Sequence, residues 1–312
     1  MLFQTLEVQI MAILVDLSQV VLGSCYAFKD ELHIDRTNAD KTEATNLIRH
    51  VILSQLKYYN THYKQQYGKL VVCCDGRHYW RKEIFPYYKA NRKKVRAQSD
   101  MDWHLIFETM NTMIDDLRQN FMFPVVRVDR AESDDVIATL CKYYQTNETG
   151  EDILFDVKQP VLIVSSDKDF VQLHQYDNVH QLSPRTKAMV TDPNPKLYIA
   201  QKCMTGDRGD GIPNIMSADD TYVKEQRSNK LTSKKIDALL AEGYDNCQDE
   251  TIKARWMRNK RLIDFAFIPD EIQSEIVSTY KSPIEGNKAK IFNYFVKHNC
   301  NLLLNEINCF VN

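Results

Sequence analysis

The chain has 312 residues, 44% hydrophobic and 26% charged, with a formal net charge of −2. This length suits one large domain or two, and the balance is that of an ordinary globular protein rather than a disordered or fibrous one. No apolar run approaches the roughly 20 residues of a membrane helix, and no basic stretch followed by an apolar core marks a secretion signal. Eight cysteines occur without a CxxC pair. Cys73, Cys74 and Cys141 sit in apolar segments, so buried reduced thiols are expected rather than a disulfide or zinc framework.

Met11-Ala-Ile-Leu-Val-Asp16 reads as a first strand ending in a carboxylate. Residues 41–63 have helical spacing, with Leu47, Val51 and Leu56 on one face. A second apolar run, Lys69 to Cys74, leads to Asp75-Gly76. From Arg77 to Arg96 there are eight basic residues and one acidic one, interleaved with Tyr79, Trp80, Phe85, Tyr87 and Tyr88. A helix is predicted around 102–120, a strand over Pro124–Asp129, a helix over Glu132–Tyr144 and a strand over 161–166. Asn178–Leu182 reads as a polar edge strand. Strands alternating with helices predict an α/β fold with a mainly parallel central sheet flanked by helices.

After about residue 195 the strand-type runs stop. Helical patterns at about 195–204, 233–241, 270–280 and 288–297 predict a smaller helical part. The expected division is a catalytic α/β domain over 1–204, with an arch at 77–101 over its acidic cleft, and a helical region over 205–312. The polar residues 216–230 are expected as a surface loop or mobile insertion.

The chemistry is signalled by acidic residues at strand ends and helix starts: Asp16, Asp75, Glu132, Asp134, Asp135, Asp167, Asp169, Asp207 and Asp210. Asp167 and Asp169 follow the buried run Val161-Leu-Ile-Val164, at the carboxyl end where open α/β sheets bind ligands. Such carboxylates repel one another unless a cation intervenes. An all-oxygen set without a His or Cys cluster suits Mg²⁺, with Mn²⁺ as a substitute, and disfavours zinc. Two ions about 3.5–4 Å apart would support phosphodiester hydrolysis by stabilising the attacking and leaving oxygens. Each member alone also reads as an acidic loop or a favourable helix N-terminus; the whole set does not.

The basic segment supplies a reason for nucleic acid to come to these carboxylates. Cations grip phosphates and aromatic rings stack on unpaired bases. Arg77, Arg81, Lys82, Lys93 and Lys94 are candidate phosphate contacts. Lys89 and Arg92 share a helix face and are placed to hold the scissile phosphodiester. No Ser–His–Asp pattern, GxGxxG or Walker loop is present. A haloacid-dehalogenase-like phosphatase would need an acidic residue where Ser18 stands, and a non-enzymatic binder would not need nine carboxylates.

These motifs resemble the flap endonuclease / 5′-nuclease family, most closely its T-even-type bacteriophage branch. The matching pieces, in family order, are Leu14-Val-Asp16, Cys74-Asp75, Tyr79-Trp80-Arg81, Tyr88-Lys-Ala-Asn-Arg92, Glu132-Ser-Asp-Asp135, Ser165-Ser-Asp-Lys-Asp-Phe170 and Thr205 to Pro213. Softer similarity continues through Leu262–Phe265, Ile268–Asp270 and Tyr294–Lys297. The resemblance implies a PIN-like 5′-nuclease core in which the nine carboxylates form a two-metal site, with Asp16, Asp75, Asp134, Asp167 and Asp169, together with Lys89 and Arg92, carrying catalysis. It further implies phosphate contact by Arg81, base stacking by Tyr88, and cleavage of RNA–DNA hybrid, nicked DNA and 5′-flap DNA by a monomer in a host cytoplasm. A phage single-stranded DNA-binding protein and a sliding clamp are the implied partners. Leu2, Phe3 and Leu6 read either as a short apolar peptide for such a clamp or as a flexible N-terminal stretch. Asn214 stands where the family has glycine, and a longer polar stretch precedes Ser233-Lys234-Lys235. The duplex-gripping motif is therefore expected to be altered, with Lys234 and Lys235 still available to phosphate.

Overall fold

The computed structural model describes residues 11–32, 34, 35, 37, 41–146 and 158–312. In chain order the first half is β1 (Ala12–Asp16), α1 (Leu17–Ala27), α2 (Lys41–Tyr67), β2 (Lys69–Cys74), α3 (Trp80–Ile84), α4 (Ala90–Gln98), α5 (Trp103–Asn120), β3 (Val125–Arg127) and α6 (Ser133–Tyr143). After β4 (Val161–Val164) and a 3₁₀ segment at Lys168–Gln175 come β5 (Val179–Leu182), β6 (Met189–Val190) and α7 (Pro195–Thr205). Helices α8 (Ser233–Glu242), α9 (Glu250–Ile263), α10 (Asp270–Tyr280) and α11 (Lys288–Lys297) precede a final 3₁₀ segment at Asn301–Phe310.

The six strands lie in the order β3-β2-β1-β4-β5-β6, parallel except for β6. The sheet is mainly parallel, as expected, but β5 is not its edge. The two-residue β6 pairs antiparallel outside it, and β6 is too short to leave a period in the sequence. Alternate strand residues feed two layers. Ile13, Val15, Leu70, Val72, Leu162 and Val164 face a core shared with α1, α2 and α5. Ala12, Leu14, Val71, Cys73, Val161 and Ile163 face α6 and α10. With both faces covered, the strands read as unbroken apolar runs.

Within α2 the deeply buried stripe is Ala44, Ile48, Ile52, Leu56 and Tyr59, while Leu47 and Val51 pack at its margin. The predicted face is thus turned by one position. All eight cysteines are free thiols, seven buried and Cys309 half-buried.

The C-terminal helices do not stand apart from the α/β core. Tyr294 and Phe295 of α11, with Leu303 and Phe310, enter the α2–α5 layer. There the Phe121 ring lies 5.3 Å from that of Tyr294 and 5.6 Å from that of Phe310. Ile272 and Ile276 of α10 complete the α6 layer. Only α7, α8 and α9 form a third cluster, and it includes Phe85 and Tyr88 from the basic segment. Residues 216–230 are a chain of turns closed on itself. Asn214 donates to the Asn229 carbonyl (2.9 Å) and accepts from Ser217 Oγ (2.9 Å), while Asn229 N donates to Ser217 Oγ (2.9 Å). The expected clamp peptide at Leu2, Phe3 and Leu6 lies outside the described residues. Among the described residues no helix is long and apolar enough to cross a membrane.

Candidate active site

Strand order reverses between β1 and β4, and their carboxyl ends open a crevice there. Asp16 closes β1 and caps α1 through Gln19 N (3.2 Å). Asp75 follows β2 directly. Its successor Gly76 is wedged so that a Cβ would lie 2.3 Å from the Val128 carbonyl, so no larger residue fits without moving Asp75. Ser133, the first residue of α6, ties the two strand ends together. Its Oγ donates to Asp16 (3.1 Å) and its N–H to Asp75 (2.9 Å). Ser165 Oγ donates to the other Asp16 oxygen (3.0 Å), and Ser18 Oγ donates to Asp75. Asp134 rides on the first turn of α6, where the helix dipole favours negative charge. Asp167 follows β4 and caps the 3₁₀ segment through Asp169 N (2.9 Å).

Asp16, Asp75, Asp134 and Asp167 take part in none of the ion pairs formed among the described residues. Burial, with repulsion from Asp75, pushes the Asp16 carboxyl up to about 7. Burial, with Asp167 and Asp16 close by, drives Asp134 well above the usual carboxylate range. Asp169 is also pushed up to about 7, by burial and then by Asp167.

The other five carboxylates carry partners. Lys202 on α7 bridges Asp169 (3.2 Å) and Asp207 (2.5 Å). Gly206 and Gly211, with φ of 68° and 73°, bound the turn holding Asp207 and Asp210, and Asp207 accepts from Asp210 N (3.0 Å). Glu132 accepts from Tyr88 OH (2.8 Å) and pairs with Arg81 (3.0 Å) and Lys89. Asp210 pairs with Arg92 and accepts from Tyr88 OH (3.1 Å). Burial opposes the charge of Glu132, yet Lys89 and Arg81 outweigh it and hold this carboxyl below its ordinary value. Lys89 and Arg92 do the same for Asp210.

Three sequence expectations are corrected. Arg81 is 3% exposed; its guanidinium is spent on Glu132, on Asp135 (2.7 Å) and on the Leu262 carbonyl (2.7 Å), so it braces the carboxylates instead of meeting phosphate. Tyr88 is 2% exposed, with its ring in the α7–α9 cluster, and has no face to offer a base. Asp135 is fully buried; it closes the capping box of α6 and accepts from Trp80 Nε1 (3.0 Å) and Arg81, so it is not available to an ion.

Lys89 and Arg92 pair with Glu132 and Asp210 beside the crevice. Lys89 adopts a left-handed backbone (φ 56°) at the start of α4, and its N–H donates to the Asp210 carbonyl (2.7 Å). Asn91 donates to the Arg208 carbonyl (2.9 Å), so α4 is fastened to the Asp207–Asp210 turn. A groove of about 1020 Å³ opens beside Lys89 between α4 and α5, lined by Lys82, Lys93, Arg96, Trp103 and Phe107. Arg77 is exposed near Asp75, Lys94 pairs with Glu225 of the turn-rich segment, and Lys234 and Lys235 are exposed on the first turn of α8.

Sequence reasoning missed Lys202, Ser133 and Ser165. The two serines stand inside the acidic motifs and were readable as hydroxyls between carboxylates. Lys202 left no signal, because only folding brings α7 to the β4 end.

The Arg81 assignment generates a stability prediction. Arg81→Met leaves buried Asp135 without a cation and removes one of two from Glu132, and is expected to cost about 3–5 kcal/mol, measured by denaturant unfolding. Unchanged stability with lost nuclease activity would restore the phosphate-contact role.

Residues 11–202 match the 5′-3′ exonuclease N-terminal resolvase-like domain, and residues 193–310 match the T4 RNase H C-terminal family. Ribonuclease H of Enterobacteria phage T4 is 32% identical over 308 residues, covering 95% of both chains. A 5′-3′ exonuclease of Buchnera aphidicola is 23% identical over 84% of this chain and 91% of its own. Among solved structures, the zinc-bound T5 5′-exonuclease aligns at a TM-score of 0.55 with 17% identity, over 86% of this chain and 97% of its own. A bacteriophage T5 flap endonuclease in a pseudo-enzyme–product complex with DNA and metal ions aligns at 0.54 with 18% identity, over 87% and 99%. These two show that the fold is shared. The chain belongs to the 5′-3′ exonuclease family, carries a C-terminal part of the T4 RNase H type, and is a nuclease.

Proposed function

We propose that this nuclease is a Mg²⁺-dependent 5′→3′ exonuclease and flap endonuclease with ribonuclease H activity, acting on RNA–DNA hybrid, nicked DNA and 5′-flap DNA. The observation that carries this reading is the crevice of Asp16, Asp75, Asp134 and Asp167, four carboxylates without a cation beneath a rim of cations. The donor set is oxygen only, with Ser133 and Ser165 hydroxyls among the carboxylates, which suits a hard divalent ion. Among the described residues no three His, Cys, Asp or Glu side chains close to metal-holding distance. Asp16, Asp75, Asp134 and Asp167 would hold the ions, with Glu132, Asp169, Asp207 and Asp210 joining as they exchange their present cation partners. Bound there, Mg²⁺ supplies charge neutralisation and activation of the attacking water.

The chain's own residues do the rest. Lys89 and Arg92 stand at the rim, where a phosphodiester anion competes for them with Glu132 and Asp210. Their positive charge orients the phosphate and stabilises the charge that grows on it. The groove between α4 and α5 offers Lys82, Lys93 and Arg96 to a backbone, with Glu108 and Asp115 of α5 also in its lining. Exposed Lys234 and Lys235 lie at the start of α8, where backbone N–H groups also attract phosphate. The family resemblance supports a role in replication: removal of RNA primers and adjoining DNA from lagging-strand fragments in a host cytoplasm, beside a single-stranded DNA-binding protein and a sliding clamp.

One nuclease panel tests the reading. Nicked RNA–DNA hybrid and 5′-flap DNA are expected to yield short 5′-phosphate products with Mg²⁺ and none with EDTA, while circular single strands stay intact. Cleavage in EDTA, or of circles, contradicts it. On the flap, Lys89→Ala is expected to lower kcat by about 10²–10³-fold with little change in KM; an effect on KM alone removes Lys89 from the chemistry.

The acid–base state of the crevice bears on stability as well. A carboxyl that holds its proton more tightly when folded favours the fold while protonated. That advantage is lost as pH rises, here from 3.8 through about 7 for Asp16 and Asp169. The metal-free protein should therefore melt at a lower temperature at pH 8 than at pH 5.5. Mg²⁺ should raise the melting temperature more at pH 8, where those carboxylates are ionised. Equal Mg²⁺ shifts at both pH values contradict the assignment.

A further inference from the structure

We propose that Gln181, on β5, is a positioning residue that sets the Ser165–Asp167 turn and through it the Asp167 carboxylate. This inference rests on the metal-dependent reading above. Gln181 is 1% exposed and stands opposite Ile163 in the parallel β4–β5 ladder. That ladder ends where Ser165 N donates to the Leu182 carbonyl (3.1 Å). Past this point the chain turns into the crevice, and the Ser165 and Asp167 carbonyls leave the ladder. Gln181 Nε2 donates to both, at 2.9 Å and 2.6 Å. A primary amide has two N–H donors, and both are used here.

The remaining end of the amide is held as well. Gln181 Oε1 lies 3.1 Å from His174 Nε2. With its nitrogen committed to two carbonyls, the amide presents only an acceptor to His174. The imidazole must therefore carry its hydrogen on Nε2. His174 belongs to the same 3₁₀ segment that Asp167 caps, so the clasp closes a loop: Asp167, the segment, His174, Gln181, and back to the Asp167 carbonyl. Ser166 Oγ and Ser183 Oγ, 2.7 Å apart, add a second tie between the turn and β5.

The clasp bears on the crevice because the turn carries two of its groups. Asp167 N donates to Ser165 Oγ (3.1 Å), which in turn donates to Asp16 Oδ2 (3.0 Å). Any shift of the turn moves Asp167 and the hydrogen bond to Asp16 together. Gln181 touches neither substrate nor any carboxylate, so it acts only through this backbone. Outer partners that orient ligands of an ion typically contribute on the order of 10–100-fold in its affinity.

The test uses the full chain and Mg²⁺ as the probe. Gln181→Met keeps the bulk and removes both donors. In calorimetry without DNA, its Mg²⁺ affinity is expected to fall on the order of 10–100-fold. The Mg²⁺ concentration for half-maximal flap cleavage should rise in parallel, with cleavage recovered at saturating Mg²⁺ and flap binding in EDTA unchanged. His174→Asn, a milder change that leaves Gln181 in place, should shift the same midpoint in the same direction by a smaller factor. Nitrogen NMR of the wild type should show His174 protonated on Nε2. Wild-type Mg²⁺ affinity in Gln181→Met, even with a lowered melting temperature, would make Gln181 a structural residue and overturn the proposal, as would an Nδ1-protonated His174. Failure of the wild type itself to need Mg²⁺ would instead overturn the function proposed above.

Discussion

Four carboxylates without cations, crowded where β1, β2 and β4 end and α6 begins, are the constraint on which the rest of the structure depends. Burying an ionised carboxylate is costly unless it is paired or hydrogen-bonded; Asp16 is buried, Asp75 and Asp134 are half-buried and Asp167 is exposed. The fold tolerates the inner pair by giving it oriented donors: the Ser133 hydroxyl and the Ser165 hydroxyl for Asp16, and the Ser133 N–H and the Ser18 hydroxyl for Asp75, while Asp134 sits at the positive end of α6. These donors lessen the charge without cancelling it. The result is a strongly acidic crevice at the one place where a sheet of this strand order offers an opening.

Around that centre the remaining charges are arranged in pairs. Arg81 sits beneath Glu132 and Asp135 and fixes the start of α6 to α3. Tyr88, Lys89 and Arg92 join Glu132 to Asp210 and so fix α4 to the Asp207–Asp210 turn. The basic segment thus has an inner half that braces the carboxylates and an outer half that faces solvent. The two halves alternate along the chain because Trp80 packs on the α6 layer and Phe85 and Tyr88, between α3 and α4, enter the α7–α9 cluster, while Lys82 between them faces outward. In the proposed function, a phosphate at Lys89 and Arg92 would meet cations whose present partners are Glu132 and Asp210, so binding would be an exchange of partners.

Much of this was legible from local pattern. Strands β1, β2 and β4 are short apolar runs that end in or shortly before an aspartate, and each carboxylate of the crevice stands near such an end or at a helix start. What escaped was non-local. The burial of Arg81 and Tyr88 depends on Glu132, Asp135 and Asp210, distant in sequence, and basic or aromatic character alone does not tell a brace from a contact. Helix α1 follows β1 without a break in apolar character, and β6 has two residues, so neither leaves a period to read. Helix α9 announces itself by its basic residues, while its buried face of Ile252, Trp256 and Ile263 is spread too thinly to stand out. The return of α10 and α11 to the two layers of the sheet depends on tertiary packing that helical spacing does not reveal.

The central claim is that the crevice is built to hold divalent cations among Asp16, Asp75, Asp134 and Asp167. Anomalous scattering from crystals grown with Mn²⁺ tests it directly. The account predicts a peak enclosed by these four carboxylates, with Asp135 and Arg81 still paired beneath it. Peaks found only elsewhere, or Asp135 turned to ligate an ion, would contradict it.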